Sequence, residues 1–266
     1  MLPPFDLARP RRLEEALALV AEGYQPYCGG TELLTAMKLG LLEPSVLVDL
    51  KGLPQLSGVA ARGDELVVGA ATTHTELATD ELVARRLPLL RRVERRVGNA
   101  RVRSQGSIGG NLCFAEPRSD VTTVLGALGA RVVLVGATGR RELAVTGFLL
   151  GSYETALEPG ELLVEVVIPG LDHATGVHLK LQHSERPVVS VVLVRERADG
   201  SCALAVGAAG DVPHVLVVGS PGEIDPADVA SAVDPVADLA GSAEYKRHLT
   251  EVLVRRALVA EVEQAA

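Results

Sequence analysis

Two glycine-rich stretches decide how this chain is read: Tyr27-Cys28-Gly29-Gly30-Thr31-Glu32-Leu33-Leu34 and Gln105-Gly106-Ser107-Ile108-Gly109-Gly110-Asn111-Leu112. Each joins small residues to a hydroxyl, which lets backbone N–H groups come close to an anion, and the first leads into a segment of helical pattern. A diphosphate is the natural guest. A tight connection needing positive φ is the more frequent reason for a lone Gly-Gly, and two such turns, each beside a hydroxyl, weaken that reading without removing it. Neither fits G-x-G-x-x-G after a strand, and G-x-x-x-x-G-K-[ST] is absent, so standard dinucleotide-fold and P-loop sites are disfavoured.

Working outward, Leu13, Ala16, Leu17 and Val20 recur at i, i+3, i+4 and i+7, which predicts an amphipathic helix over residues 11–22. Residues 26–28 form a short strand that Gly29-Gly30 breaks, Thr31 is placed to cap a helix over 32–39, and 46–50 is a strand. This order is βαβ-like. Apolar runs at 56–61 and 65–71 flank Arg62-Gly63-Asp64 as a hairpin, and 77–97 is helical with Pro88 opening a new helix at Leu89. The polar stretch 98–119 has no sustained periodicity and receives no element. A helix over 120–128 and strands at 131–135 and 162–168 follow, closed by Pro169-Gly170. Strand then follows strand at 176–182, 188–195, 202–208 and 215–218, with Asp199-Gly200 as a hairpin turn. The end is helical: 226–239, then a helix capped by Ser242 in which Tyr245, Leu249, Val252 and Leu253 share a face. The expected architecture is α+β, in three sub-domains at 1–54, 55–170 and 171–266.

Composition narrows the function. With Lys+Arg 26 against Asp+Glu 34 the net charge is −8, so no global basic field exists to hold a nucleic acid. No apolar run approaches the roughly 18 residues of a membrane span, and the start Met1-Leu2-Pro3-Pro4-Phe5-Asp6 lacks a secretory pattern, which points to the cytoplasm. Three Phe, four Tyr and no Trp argue against a self-sufficient aromatic substrate pocket and throw weight onto the backbone turns. Cys28, Cys113 and Cys202 are odd in number without a C-x-x-C pair, so neither a disulfide framework nor a protein-held zinc or iron–sulfur site is supported. His74, His173, His178, His183, His214 and His248 show no helical metal pairing. Thr72-Thr73-His74 follows a strand and serves either a ligand or a helix cap. Arg101, Arg103 and Arg118 surround the second turn and suit a phosphate, an acidic partner or a solvated loop. No residue stands out as a catalytic nucleophile.

At the two turns the sequence resembles the FAD-binding medium subunits of molybdenum hydroxylases, the family of aerobic carbon monoxide dehydrogenase and, more distantly, of the xanthine dehydrogenase FAD module. Gly29-Gly30-Thr31-Glu32-Leu33-Leu34 with Met37-Lys38 resembles the first flavin turn, Cys28 standing where Ala is usual; Thr72-Thr73-His74 matches the carbon monoxide dehydrogenase branch. Asn99-Ala100-Arg101-Val102-Arg103 through Ser107-Ile108-Gly109-Gly110-Asn111-Leu112 to Asp120 is the most specific piece, and Glu154-Thr155-Ala156-Leu157, Glu161-Leu162-Leu163, Ile168-Pro169 and Ser242 through Leu258 continue the likeness.

The resemblance implies a p-cresol methylhydroxylase-type fold, two α+β sub-domains clasping FAD and a C-terminal sheet-and-helix domain beside the flavin. It implies that Pro26, Tyr27, Cys28, Gly29, Gly30, Thr31, Glu32 and Leu33, with Ser107, Ile108, Gly109, Gly110 and Asn111, hold the diphosphate, Gly106 being counted among the cofactor-binding residues beside them. A Cβ at Gly109 is then expected to crowd the phosphate. Asp120 would hydrogen-bond the FAD, Leu163 contact its adenine or ring portion and Lys180 lie near the isoalloxazine edge, with Thr73 also counted in the site. Val97 takes a position where the xanthine dehydrogenase branch has Phe. Ser104, Glu116, Arg118, His178 and the run His183-Ser184-Glu185-Arg186-Pro187 depart from the family pattern, which bears on the flavin surroundings. The implied function is an electron relay: a molybdenum cofactor on a large partner chain, iron–sulfur clusters on a small one, FAD here, and NAD or a quinone-type acceptor beyond. A stand-alone flavin oxidoreductase would turn over substrate without partners. A nucleotide-binding assembly module would bind ADP as tightly as FAD.

Overall fold

Three sheets carry the chain, and a computed structural model describes residues 2–170, 175–182, 185–196 and 200–265. The first sheet comes from β1 (Asp6–Ala8), α1 (Leu13–Ala21), β2 (Gln25–Tyr27), α2 (Leu33–Lys38) and β3 (Val46–Asp49), its strands parallel in the order β1-β3-β2. β1 escapes a reading by pattern because three residues are too few to show a period. Thr31 does not cap α2: the helix begins one residue later than expected, with Glu32 at its N-cap position and no side-chain cap bond.

The second sheet is built from β4 (Val59–Arg62) and β5 (Glu65–Gly69), then, after six helices, β6 (Arg131–Gly136), β7 (Gly139–Ala144) and β10 (Leu162–Ile168). It is antiparallel in the order β4-β5-β10-β6-β7, so the last strand made occupies the centre. The helices are α3 (His74–Thr79), α4 (Glu81–Arg86), α5 (Pro88–Glu94), α6 (Ala100–Gln105), α7 (Ile108–Phe114) and α8 (Asp120–Ala127), with Pro88 in the first turn of α5 as expected. The stretch 98–119 is mostly helical, contrary to its loop-like composition. Asn99 caps α6 by accepting from the Arg101 and Val102 N–H groups, and Ser107 caps α7 by accepting from Gly110. Short α9 (Val145–Phe148) and the hairpin β8 (Leu149–Gly151) with β9 (Glu154–Thr155) complete this part.

The third sheet is the meander β11 (Thr175–Gln182), β12 (Pro187–Arg195), β13 (Cys202–Gly207) and β14 (His214–Val218). The expected β12–β13 turn falls partly outside the described residues, since only Gly200 of Asp199-Gly200 is described; it has φ +80°. β12 is buried on both faces. Val192 and Val194 join the core shared with α8, while Val191 and Leu193 face α10 (Pro226–Ala232) and α11 (Ala243–Ala265), the two-residue alternation of a strand between layers. α10 stops at Ala232 because Pro235 follows closely and Val233 is already extended. Ser242 does cap α11, accepting from the Tyr245 N–H. The buried face of α11, however, is Lys246, Thr250, Leu253, Val254 and Ala257, while Tyr245 is exposed. Lys246 is admitted because Asp238 meets its ammonium at 2.9 Å.

Candidate cofactor site

A cleft of about 580 Å³ opens between the first two sheets and the β11–β12 hairpin, a volume in the range of small-molecule and cofactor sites. The two glycine turns meet in its wall. Gly29 packs on the second turn so closely that a Cβ there would overlap the Gln105 carbonyl and lie 2.7 Å from the Gly106 Cα. Gly30 has φ +66°, and a Cβ on it would stand 2.6 Å from the Tyr27 ring. The side chain of Lys51 backs the first turn, its ammonium 3.9 Å from the centre of the Tyr27 ring and 3.3 Å from the Cys28 carbonyl oxygen.

The two turns divide the work unequally. In the first, the N–H groups of Gly30, Thr31, Glu32 and Leu33 find no acceptor among the described residues, so four consecutive donors are left in the cleft wall. In the second the amides are already used. Ile108 N–H donates to the Thr72 carbonyl, Gly109 N–H to that of Ala70, Gly110 N–H to the Ser107 hydroxyl and Asn111 N–H to the Ser107 carbonyl, at 2.9–3.2 Å. Gly109 therefore has a different reason for being glycine from the one expected: a Cβ there would lie 2.7 Å from the Ala70 Cβ and carbonyl oxygen, behind the turn. The second turn presents side-chain groups instead. The Ser107 hydroxyl and the Asn111 amide line the cleft, the Asn111 carbonyl held by the Ser119 hydroxyl at 2.8 Å.

Asp120, the first residue of α8, is held from the third sheet: Lys180 Nζ lies 2.6 Å and His178 Nε2 3.2 Å from its carboxylate. Burial alone would raise its pKa, but the bonds and charges of His178 and Lys180 outweigh burial and hold it below the ordinary carboxylate range.

The cleft gathers Pro26, Tyr27, Cys28, Gly29, Gly30, Thr31, Glu32, Leu33, Gly106, Ser107, Gly109, Gly110, Asn111, Asp120 and Leu163 in its lining. It does not gather Thr73, Ile108 or Lys180. Thr73 is the N-cap of α3 in a capping box, its hydroxyl accepting from the Glu76 N–H while Glu76 accepts from the Thr73 N–H at 2.7 Å. Ile108 is wholly buried in the main core, and Lys180 spends its charge on Asp120. His183 and Ser184 lie outside the described residues.

Sequence reasoning missed a buried pair and underrated a network. His74 Nδ1 lies 2.6 Å from Glu94 at a site closed to solvent, and the His74 ring packs under Gly106. Glu116 takes Arg118 at 3.1 Å on one oxygen, and the Tyr153 hydroxyl at 2.8 Å and Arg186 at 2.7 Å on the other. Arg186 also reaches Glu32 at 2.6 Å. Burial opposes the Glu116 charge, yet Tyr153, Arg186 and Arg118 together bring its pKa below the usual value. Burial raises the pKa of both cleft cysteines, that of Cys113 to about 12.

The sequence profile described as "FAD binding domain in molybdopterin dehydrogenase" matches residues 3–171. The chain belongs to this family. FAD is its cofactor, and the chain is an oxidoreductase subunit. Across 97% of its length it is 31% identical to the carbon monoxide dehydrogenase medium chain of Hydrogenophaga pseudoflava, covering 97% of that relative. It is 30% identical to the medium chain from Afipia carboxidovorans, again over 97% of both. Among solved structures, a Cu,Mo-CO dehydrogenase chain superposes with a TM-score of 0.90 at 29% identity, covering 97% of this chain and 98% of that one. Quinoline 2-oxidoreductase from Pseudomonas putida 86 gives 0.90 at 26% identity, over 100% and 99%. The α+β FAD-binding fold expected from the sequence is the fold found.

The cleft fits the group. A diphosphate needs several converging donors, which Gly30 to Leu33 supply, and close backbone approach, which the glycines allow. Among the described residues no helix is long and apolar enough to cross a membrane.

Proposed function

We propose that this chain is the FAD-carrying relay subunit of a cytoplasmic molybdenum hydroxylase. A large partner chain would bear the molybdenum cofactor and oxidise the substrate. A small partner would bear iron–sulfur clusters, and this chain would hold the FAD through which electrons leave for NAD or a quinone-type acceptor. The observation that carries the reading is the row of open amides at Gly30–Leu33 in a cleft of cofactor size, in a chain alike from end to end to two medium chains. FAD supplies the redox chemistry when bound; the protein's share is binding, orientation and electrostatics.

In this reading the first turn binds the diphosphate through amides, and the second shapes the wall with Ser107 and Asn111. Asp120 stays ionised as a hydrogen-bond acceptor because the bonds from His178 and Lys180 outweigh its burial. Leu163 lends an apolar contact from the start of the central strand. We place the unit limits at 1–54, 55–170 and 171–266, each interval holding one main sheet. The test is to purify the chain together with its partner chains and record absorbance. Flavin bands that bleach when a substrate of the large chain is added support the relay, whereas protein still colourless after reconstitution with FAD overturns it. Turnover by this chain alone would overturn the division of labour.

A further inference from the structure

Arg186 stands immediately before β12 of the third sheet, yet its guanidinium meets a carboxylate from each of the other two parts of the chain. One nitrogen lies 2.6 Å from Glu32 in the first glycine turn, and another lies 2.7 Å from Glu116 in the connection between α7 and α8. All three side chains line the cleft. Arg186 and Glu32 are about one-third exposed and Glu116 only 7%, so the bridge runs from the rim inward.

The charges in this network are spent. Glu116 is occupied on both oxygens, by Arg118 on one and by Tyr153 and Arg186 on the other. Two carboxylates and two guanidiniums cancel, so Arg186 has no surplus charge to offer a phosphate without first giving up a carboxylate. The amides of Gly30 to Leu33 meanwhile provide for the diphosphate. A cation tied on both sides of a cleft wall is built to hold the walls together rather than to bind the guest.

We propose that Arg186 is a clasp across the opening of the FAD cleft, a positioning residue that sets how fast the cofactor enters and leaves without supplying its affinity. This rests on the cleft being the FAD site. A clasp must open for passage in either direction, so removing it speeds both directions, whereas removing a phosphate ligand speeds release and slows or spares capture.

The test uses the full chain stripped of FAD, with capture and release followed by stopped-flow flavin fluorescence. In Arg186→Gln both rate constants should rise by about tenfold, the equivalent of about 1.4 kcal/mol off each barrier, with the dissociation constant changed less than about threefold. Glu32→Gln cuts one arm and leaves Glu116, Arg118 and Tyr153 joined, so it serves if Arg186→Gln does not fold, and it should move both rates the same way. Raising salt should speed exchange in the wild type more than in either variant. Faster release without faster capture would make Arg186 a phosphate ligand and overturn the clasp, as would unchanged rates. FAD binding by the wild type is measured in the same experiment, so failure of the site and failure of the clasp are told apart.

Discussion

Replacing Gly29 by Ala tests the idea that the two glycine turns work as one packed unit. The new Cβ would overlap the Gln105 carbonyl and stand 2.7 Å from the Gly106 Cα. These are backbone atoms, and Gly106 is fixed in turn, its carbonyl accepting from the His74 N–H at 3.1 Å. No side chain can swing away to make room. Forcing a methyl into packed surroundings costs about 1–3 kcal/mol, and an immovable backbone wall puts this case in the upper part, about 2–3 kcal/mol. The chain relieves that strain by parting the turns, and the binding-competent arrangement becomes a minor population. Apparent affinity then falls by the same fraction, roughly 30- to 150-fold. Gly52→Ala is the control, because it lies outside the cleft lining and its Cβ would meet nothing within 4 Å; affinity should stay within about threefold. Titration of the FAD-free chain by flavin fluorescence gives both numbers. If Gly29→Ala binds FAD as well as Gly52→Ala does, the turns do not act as a packed unit.

Thr73→Ala removes the α3 cap and should lower unfolding free energy by about 1 kcal/mol in urea while leaving FAD affinity unchanged; a tenfold affinity loss would make Thr73 a cofactor ligand after all. Asp120, with its carboxyl held low by His178 and Lys180 against burial, should add stability that is full above its unfolded value of about 3.9 and vanishes as pH falls through its lower folded value. The stability difference between wild type and Asp120→Asn, measured in urea from neutral to acid, should therefore shrink on acidification, and a constant difference refutes this. Cys28 and Cys113, both with raised thiol pKa values, should alkylate with iodoacetamide at neutral pH far more slowly than free cysteine, and mass spectrometry would expose rapid labelling.

What the sequence shows and hides follows from how local each feature is. The glycine turns are legible because no other residue tolerates such close backbone approach, and α1 because its apolar spacing is complete within one segment. Residues 98–119 hide two helices: four glycines and three arginines blur any period, and only the caps Asn99 and Ser107 mark the starts. The Thr73-to-Glu76 capping box was readable from its spacing and argues for a cap over a ligand. The Ile108 and Gly109 donors of the second turn look free in the sequence because their acceptors, Thr72 and Ala70, lie over thirty residues away. Separation along the chain likewise hides the His74–Glu94 pair, 20 residues apart, and the two carboxylates of Arg186. The buried face of α11 is misread because hydrophobicity favours Tyr245 over Lys246, and only the fold reveals the Asp238 partner.

The position of β10 carries a consequence for how the protein is made. A ribosome releases β4, β5 and all the helices that shape the cleft before residues 162–168 exist, yet β5 and β6 are joined only through that strand. Until then two hairpins with bare inner edges, β4–β5 and β6–β7, stand apart, with Leu66, Val68, Val132 and Leu134 still short of their final neighbours. Long-range pairing of this kind is slow and leaves sticky edges exposed in the interval. The FAD cleft thus lacks Leu162 and Leu163 until β10 pairs between two older strands, and it gains Glu185, Arg186 and Pro187 later still.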